Sequence, residues 1–433
     1  MDFLILYEHA SRELENACLL KEELNRRGYS VKIECIYSIK KLFCKPKVLI
    51  VPHLYNDNQI VDFAYNFFGG VKKIVDLQYE QVLSKSDIED NYNMPKEHAK
   101  FAYHIAWGED QYRRYLENEI SEGNIIMAGC MSMDLNHKKF DSVFIDRSEI
   151  SKKYGLPNNK WRIFISSFTL HNRTEDELKR YENVVKSTRE LRRIMIESRS
   201  KILEWIELIL KKYPNEIFIY RPHPAERADL DLKELEEKYN NFYVISDLSI
   251  RQWVRVVDYA YTWYSTSIVD FYYGNKNCEI LRPIKIPEKI DAILFKNARV
   301  INTVGEFEYY FNMEASNLQF PIDDKEIEEF YGHWKDGSAY KRIADACEKV
   351  IKSQSNSYGF INNISNFKGM NIKKLIMFMS YEACKFVKLS ILFHNILPEK
   401  YILGFERAEN EMYKKKKLEK FYTERFKMIL KLF

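Results

Sequence analysis

Short apolar runs alternate with longer amphipathic segments through the first part of this 433-residue chain. Phe3–Tyr7 has the composition of a buried strand, and Ser11–Arg27 repeats apolar residues at helical spacing as far as Gly28. The alternation continues with strands at Val31–Cys35, Val48–Pro52, Lys73–Leu77, Phe101–Trp107 and Asn124–Ala128, and with a helix at Ile60–Phe68. Strands and helices that alternate at this spacing predict a parallel, doubly wound sheet.

A polar stretch separates this pattern from a second one of the same kind. Residues 136–160 contain Gly155 and Pro157 and are predicted to form a linker. After it come a long predicted helix at about Glu177–Tyr213 and predicted strands at Trp161–Ser167, Ile217–Tyr220, Tyr243–Ser246, Tyr259–Trp263 and Cys278–Leu281. We therefore predict two Rossmann-like α/β domains, at residues 1–135 and 161–355, which face a cleft of the kind where ligands bind by default.

Composition is typical of a globular protein. Hydrophobic residues make up 46% of the chain and charged residues 30%, and the length is sufficient for two sizeable cores. The seven cysteines are odd in number and include no Cys-x-x-Cys pair, which indicates reduced thiols in a cytoplasm. The nine histidines are dispersed, and the one Asp-x-Asp, Asp229–Asp231, opens a predicted helix. Because glycine-rich nucleotide fingerprints are also absent, we expect neither a metal nor a cofactor.

The last segment, residues 356–433, differs in character. From Ile361 to Phe433 there are 15 Lys and Arg against 7 Asp and Glu. This excess of eight positive charges leaves −4 for the remainder of a chain whose net charge is +4. Ile372–Leu397 is apolar but interrupted by charges, and Tyr413–Phe433 is basic and amphipathic. We predict a helical tail that either packs on the body or binds an anionic membrane on its cytoplasmic face.

Neither a basic leader nor an apolar stretch of membrane-spanning length is visible in the sequence. The small net charge does not by itself indicate nucleic acid as a partner. We therefore expect a cytoplasmic protein.

The segment Ile217–Glu226 carries the strongest chemical signal. A strand runs directly into Arg221-Pro222-His223-Pro224, and Glu226 follows. Proline fixes its own φ and biases its predecessor toward extended geometry, so Arg221 and His223 are displayed rigidly. A guanidinium and an imidazole at the carboxyl end of a strand suit an anionic ligand. A proline-rich surface turn with incidental polar residues is the alternative.

A second polar cluster follows the predicted strand Tyr259–Trp263. Ser265, Thr266 and Ser267 stand where the strand gives way to a helix, and Asp270 lies one helical turn later. Hydroxyl groups at this position can cap a helix, and a helix N-terminus attracts phosphate. A plain helix cap is the alternative. Taken with the Arg-Pro-His-Pro turn, the cluster predicts one anion-binding crevice.

The order of these motifs resembles the GT-B transferases of bacterial surface polysaccharides (capsule and lipopolysaccharide). The features that carry the resemblance are the Arg-Pro-His-Pro turn, Ser246-Asp247, and Ser265-Thr266-Ser267 with Asp270 three positions further on. They are similar to surface carbohydrate biosynthesis proteins, to Kdo and sialic-acid-type transferases with a His-Pro motif, and to CDP-glycerol glycerophosphotransferases.

In the N-terminal half, similar landmarks are Tyr7-Glu8-His9, Arg12-Glu13, Asp76-Leu77-Gln78-Tyr79-Glu80-Gln81, Trp107-Gly108-Glu109, and Gly129 with Asp134. The stretch from Gly129 to Asp134 departs from the pattern, because it lacks the Pro and Arg often found there. The resemblance covers roughly residues 1–350 of the chain.

This resemblance implies a GT-B fold and a metal-independent glycosyltransferase. Such an enzyme would move a sugar, for example a CMP-linked acidic one, from a nucleotide-sugar donor to a glycan or lipid-linked precursor. Arg221 and His223 would bind the donor phosphate and stabilise the leaving group, and Asp270 would contact ribose hydroxyls. Glu226 would orient His223 or Arg221. The expected donor site comprises Arg221, His223, Glu226, Ser265, Thr266, Ser267 and Asp270.

The base that takes the acceptor proton is expected in the N-terminal domain. Glu80, just after the strand Ile74–Leu77, is the first choice, Glu8 the second and His53 the third. A solvated surface carboxylate is the alternative interpretation of Glu80. Three other functions stay open: a CDP-glycerol-type polyol-phosphate transferase, a sugar-nucleotide epimerase of the same fold, and a catalytically silent scaffold.

Overall fold

The computed structural model describes residues 1–38, 40–41, 44–65, 71, 73–182, 185–227, 230–353, 380 and 399–432. The chain divides into two compact units. The first comprises Met1–Gln81, Asn93–Asp134 and Tyr331–Phe433. The second comprises Val82–Tyr92 and Leu135–Phe330.

In the described part of the first unit, six strands form one sheet in which every neighbouring pair is parallel. The strands are β1 (Phe3–Tyr7), β2 (Val31–Cys35), β3 (Val48–Val51), β4 (Ile74–Asp76), β5 (Tyr103–Ala106) and β6 (Ile125–Met127). Their order in the sheet is β2-β1-β3-β4-β5-β6. Every residue of β1, β3, β4 and β5 is buried, because a parallel sheet is covered on both faces.

The described part of the second unit contains a five-stranded parallel sheet. Its strands are β7 (Trp161–Ile165), β8 (Ile217–Arg221), β9 (Phe242–Val244), β10 (Tyr259–Thr262) and β11 (Cys278–Ile280), in the order β11-β10-β7-β8-β9. Two Rossmann-like, doubly wound parallel sheets confirm the fold class that the alternation of strands and helices predicted.

The helices lie between and after the strands. In chain order they are α1 (Ala10–Arg26), α2 (Asp57–Ile60), α3 (Lys85–Glu89), α4 (Glu109–Glu117), α5 (Met131–Asp134), α6 (Arg147–Tyr154), α7 (Glu175–Glu182), α8 (Thr188–Lys212), α9 (Leu230–Lys238), α10 (Ile250–Val256), α11 (Ile268–Tyr273), α12 (Val304–Phe311), α13 (Asp324–Tyr331), α14 (Ala339–Lys352) and α15 (Glu399–Ile429). A π-helical turn, Val61–Tyr65, continues α2, and residues 66–68 of the predicted helix lie outside the described residues.

Two predicted elements differ from the structure. The long helix predicted at Glu177–Tyr213 is two helices, α7 and α8. The predicted linker 136–160 contains α6, because Asp146 and Glu149 form a capping box and Gly155 ends the helix at φ +67°. A polar composition therefore concealed a well-capped helix.

The basic tail is helical where the structure describes it, and it packs on the first unit. The Tyr422 hydroxyl donates to Glu15 of α1 at 2.8 Å, and Lys21 of α1 lies 3.1 Å from Glu419. Helix α14 also belongs to this unit, although the predicted boundary assigned residues up to 355 to the second domain. The apolar segment Ile372–Leu397 lies outside the described residues, apart from residue 380.

Landmark residues near the end of the first sheet fix α14. The Asp134 carboxylate accepts hydrogen bonds from the backbone N–H groups of Ala339 and Tyr340, at 3.0 and 2.7 Å. Gly129 has φ +81°, and a Cβ there would lie 3.2 Å from the Trp334 ring. Asp134 therefore caps a helix N-terminus from outside it, and Gly129 allows a close approach that another residue would obstruct.

Candidate functional site

The first sheet has a topological switch point between β1 and β3. Strand β2 lies on one side of β1, and β3 to β6 continue on the other. The crevice at the carboxyl ends of two such strands is the usual ligand position in open α/β sheets. Glu8 and His9 follow β1, and His53 follows β3 after Pro52. Two of the three predicted bases, Glu8 and His53, therefore flank this point.

Glu8 lies in a cluster of charged and aromatic groups. Its Oε1 accepts hydrogen bonds from the Tyr37 hydroxyl at 3.0 Å and from Nη2 of Arg407 in α15 at 2.7 Å. Nδ1 of His53 lies 3.7 Å from Oε2. Burial raises the pKa of Glu8, but the charges of His53, His9 and Arg407 outweigh burial and place this pKa below its ordinary value. Glu8 is therefore ionised at neutral pH beside an imidazole.

Glu80 occupies a different environment. Its side chain is 48% exposed, compared with 19% for Glu8. Its partners are Nη1 of Arg12 at 3.3 Å and the Asn93 amide, also at 3.3 Å. An exposed ion pair of this kind contributes little free energy, and the two contacts of Glu80 are those of a solvated surface carboxylate.

The other residues of the landmark stretch Asp76 to Gln81 build the turn after β4. His104 Nδ1 lies 2.9 Å from the buried Asp76 carboxylate. The Gln81 side chain donates to the Ile105 carbonyl at 2.8 Å and accepts from the Trp107 N–H at 2.9 Å. These buried, satisfied polar groups fix the backbone, so the motif holds the loop that carries Glu80.

Glu13 is a buried carboxylate at the start of α1. Its Oε2 accepts hydrogen bonds from the backbone N–H groups of Glu8 and His9, at 2.6 and 3.2 Å. Burial nevertheless dominates and raises the pKa of Glu13 from 4.5 to about 7.

Glu13→Gln is expected to change how stability depends on pH. The unfolded chain releases the Glu13 proton near pH 4.5, whereas the folded protein retains it to about pH 7. The wild type should therefore lose up to about 3 kcal/mol of unfolding free energy relative to Glu13→Gln across this window and then level off. Urea unfolding at several pH values measures this difference. Glu119→Gln, at an exposed carboxylate, is the control, and parallel curves for wild type and Glu13→Gln would contradict the burial argument.

The second sheet has its switch point between β7 and β10. Strands β8 and β9 extend the sheet on one side of β7, and β10 and β11 extend it on the other. Ile165 at the end of β7 is in register with Arg221 of β8 and with Thr262 of β10. The three strands therefore end at one level, and the residues that follow them share one edge of the sheet.

The Arg-Pro-His-Pro turn is built around Glu226. Its carboxylate accepts from the Tyr220 hydroxyl at 2.8 Å, from the His223 backbone N–H at 3.2 Å and from the Ser166 hydroxyl. Burial raises the pKa of Glu226 in spite of these hydrogen bonds. Nδ1 of His223 accepts from the Ala225 N–H at 3.0 Å, so the neutral imidazole carries its proton on Nε2. Glu226 therefore shapes the turn through the backbone N–H of His223, and its expected role in orienting His223 or Arg221 stays a prediction.

Arg221 connects this turn to the loop after β9. Its Nη2 donates to the Leu248 carbonyl at 3.1 Å. Leu248 has φ +68°, a conformation that costs about 1–2 kcal/mol for a residue other than glycine. The neighbouring Asp247 accepts from Lys153 and from the Tyr154 hydroxyl, and these bonds outweigh burial and lower its pKa to about 2. A strained but anchored loop therefore positions the Arg221 guanidinium.

The Ser265-Thr266-Ser267 cluster is attached to the end of β7. The Thr262 hydroxyl donates to the Ile165 carbonyl at 3.1 Å and accepts from the Ser265 N–H at 3.2 Å. The Ser267 hydroxyl makes no capping bond to α11, so the alternative interpretation, a plain helix cap, does not describe Ser267. Instead, Ser265 Oγ accepts from the Ser267 N–H at 3.2 Å. The hydroxyl cluster and the Arg-Pro-His-Pro turn are thus both attached to the carboxyl end of β7.

Asp270 faces into the second unit. Its buried carboxylate accepts from the Asn136 amide at 3.0 Å and lies 3.6 Å from Nε of Arg251 in α10. These contacts join α11 to α10, and they are structural. A contact between Asp270 and ribose stays a prediction.

Sequence reasoning missed Arg282, which follows β11. Its guanidinium makes a bidentate ion pair with Asp291, at 2.8 and 3.0 Å, and donates to the Trp263 carbonyl. With Lys85, Lys285 and Lys296 it lines a cavity of about 850 Å³. The sequence did contain a pattern that could have identified Arg282. Arg282-Pro283 follows β11 in the same way that Arg221-Pro222 follows β8.

Among the residues that the structure describes, no group of three or more His, Cys, Asp or Glu side chains is arranged to hold a metal ion. The six described cysteines are buried free thiols. Within the same ranges, every helix is too short or too polar to cross a bilayer.

Comparison with known proteins gives similarity at the level of structure. No family model and no curated protein matches the chain. The UDP-GlcNAc 2-epimerase from Neisseria meningitidis bound to UDP-GlcNAc is similar, with 13% identity and a TM-score of 0.51, over 81% of this chain and 100% of that chain. The Methanocaldococcus jannaschii UDP-GlcNAc 2-epimerase in complex with UDP-GlcNAc and UDP has 13% identity and a TM-score of 0.51, over 80% of this chain and 99% of that chain.

A structure of the wall teichoic acid polymerase TagF with CDPG is similar as well. It has 12% identity and a TM-score of 0.53, over 81% of this chain and 89% of that chain. At these identities the likeness shows the fold alone, and it confirms the predicted GT-B fold.

Proposed function

We propose that this protein is a metal-independent glycosyltransferase that takes a sugar from a nucleotide-sugar donor. The observation that best supports this proposal is that β7, β8 and β10 end at one level, at the same edge of the second sheet. Arg221, His223 and the hydroxyls of Ser265 to Ser267 lie there at a switch point. Rigid cationic and hydroxyl donors in this position suit a phosphate ester.

The 850 Å³ cavity supports this assignment. Its volume is in the range of small-molecule sites. Four cationic side chains line it against two carboxylates, Glu288 and Asp291. The Tyr264 hydroxyl, just before the serine cluster, donates to the Ile290 carbonyl beside Asp291, so the cavity wall and the hydroxyl loop form one connected structure. We assign the donor phosphates to this region.

In the proposed reaction an acceptor hydroxyl of a glycan or lipid-linked precursor attacks the anomeric carbon of the donor. The bond from that carbon to the phosphate oxygen breaks, and the nucleotide leaves with the electron pair. Arg221 and the Nε2–H of His223 would stabilise the developing phosphate charge. For the proton of the acceptor hydroxyl we favour His53, assisted by the ionised Glu8, over the solvent-exposed Glu80. Asp270 would act indirectly, by positioning α11.

A nucleotide screen by thermal shift tests the proposal. A nucleotide that binds only the folded protein raises the melting temperature by mass action. We expect CMP, CDP or UDP to raise it by a few degrees, roughly the effect of 1–3 kcal/mol of binding free energy, and unphosphorylated nucleosides to leave it unchanged. EDTA should not alter the shift. The proposal fails if no nucleotide produces a shift at millimolar concentration.

A polyol-phosphate transferase is the second candidate, because the TagF polymerase structure with CDPG has the same fold. An epimerase is the third, on the same ground. Product analysis separates the three. Release of nucleoside monophosphate from a CDP-polyol together with an acceptor indicates polyol-phosphate transfer, and an isomerised donor without any acceptor indicates epimerisation. We place each of these activities in the cytoplasm.

A further inference from the structure

Helix α15 presents one continuous basic face to solvent, here named the outer face. From Tyr413 onward its exposed residues are Tyr413, Lys416, Lys417, Lys420, Glu424, Lys427 and Met428, and the exposed Lys431 follows just after its end. At about 100° per residue they fall within an arc of roughly 120° on the helix. At about 1.5 Å per residue the stripe is about 27 Å long. Five lysines thus form a straight row with a single acidic residue.

The opposite face of α15 is occupied by the first unit. Tyr422, Phe426, Ile429 and Leu430 are buried there. These side chains include apolar residues that gave the tail its amphipathic pattern. They are therefore not available to insert into a bilayer while α15 stays packed.

The run Lys414 to Lys417 is divided between the two faces. Lys414 lies 3.3 Å from Glu411, and Lys415 lies 3.0 Å from Glu34 of β2. Lys416 and Lys417 point away from the unit and belong to the outer face. Lys414 and Lys415 therefore form ion pairs within the first unit, whereas Lys416 and Lys417 belong to the outer face.

The outer face combines charge with exposed apolar groups. Tyr413 and Met428 lie among the lysines, and Leu432 follows at the end of the helix. Lys420 and Glu424 are 3.8 Å apart and both exposed, so solvent screens this pair. Lysines that flank partly apolar side chains match the headgroup layer of an anionic membrane, which offers negative charge above an apolar layer. A soluble polyanion offers only the charge.

We propose that the outer face of α15 binds an anionic lipid surface, electrostatically and with α15 still packed on the first unit. This proposal is independent of the catalytic assignment. In this proposal α15 does not insert its apolar face into the bilayer. Instead the folded protein adsorbs reversibly on the lipid surface through the outer face. Binding of this kind weakens as salt shortens the range of electrostatic attraction.

Vesicle co-sedimentation of the full chain tests this proposal. Wild type should sediment with vesicles of phosphatidylcholine and phosphatidylglycerol, but not with phosphatidylcholine alone, and 1 M salt should release it. The triple variant Lys416→Glu, Lys420→Glu, Lys427→Glu should bind on the order of 100-fold more weakly, since each lysine near an anionic surface contributes measurably to affinity. Its melting temperature should equal that of wild type, because the substituted side chains are exposed.

A matched control changes the net charge equally elsewhere. Lys186→Glu, Lys233→Glu, Lys289→Glu alters three exposed lysines of the second unit and should retain vesicle binding. Equal losses in the two triple variants would overturn the proposal, as would equal binding of wild type to neutral vesicles. Binding to soluble polyphosphate without binding to anionic vesicles would also overturn it, because the partner would then be a soluble polyanion.

Discussion

Replacing His223 by alanine is expected to lower kcat by about 10²–10³-fold, the usual cost of removing one donor that stabilises developing charge in a transition state. The imidazole lies at the carboxyl end of β8, and its Nδ1 accepts the Ala225 N–H at 3.0 Å. That bond directs the ring proton to Nε2, the atom that we propose faces the leaving phosphate. Single-turnover kinetics with the donor identified in the nucleotide screen measures the effect.

His223→Asn is the sharper variant. An asparagine side chain can accept the N–H two residues further on, as in an Asx-turn, so the turn should be retained while the imidazole is lost. We expect the same fall in kcat as in His223→Ala, with a melting temperature equal to that of wild type. His333→Ala, at an exposed histidine of the first unit, should leave kcat unchanged. If His223→Asn turned over the donor at the wild-type rate, His223 would have no part in catalysis.

Phe426→Ala is expected to reduce the unfolding free energy of the first unit by about 3–5 kcal/mol, the usual cost of truncating a fully buried phenylalanine. Phe426 is 0% exposed and lies on the face of α15 that packs on the first unit. Removing its ring leaves a cavity that neighbouring side chains fill only in part. Urea unfolding, followed by a probe on the first unit, measures this loss.

Met428→Ala is the control on the same helix, because Met428 is 62% exposed. It should change the unfolding free energy by no more than about 0.5 kcal/mol. Equal costs for the two substitutions would show that α15 does not pack as the structure has it.

Much of the fold could be predicted from local patterns. In a parallel sheet that is covered on both faces, strands are continuous apolar runs, so Phe3–Tyr7 and Trp161–Ile165 were visible without any partner. The prolines of the Arg-Pro-His-Pro turn were equally informative about the backbone at the edge of the second sheet, because proline restricts the backbone locally. The Arg-Pro-His-Pro turn was therefore placed correctly at a strand end. Helix α6 was missed because its capping box lies in a polar stretch.

The environments of the candidate residues could not be predicted in this way. Glu80 and Glu8 are both carboxylates that follow a strand of the first sheet, yet one is exposed and the other is held by Arg407 from almost the other end of the chain. Likewise, Asp270 occupies the predicted helix but contacts Arg251 and Asn136. Solvent exposure and ion pairing depend on residues distant in sequence, and these are set only when the chain has folded.

The sequence by itself determined two doubly wound parallel sheets, a rigid Arg-Pro-His-Pro turn and a basic amphipathic tail, because periodicity and proline geometry act over a few residues. Only the tertiary structure decided which of the candidate carboxylates, Glu8, is partly buried beside an imidazole, and which face of α15 is covered. An apolar helix face is satisfied equally by a bilayer or by a protein surface, since the hydrophobic effect has no direction. In the folded protein the apolar face of α15 packs against the first unit, and the lysines of the outer face stay exposed to solvent.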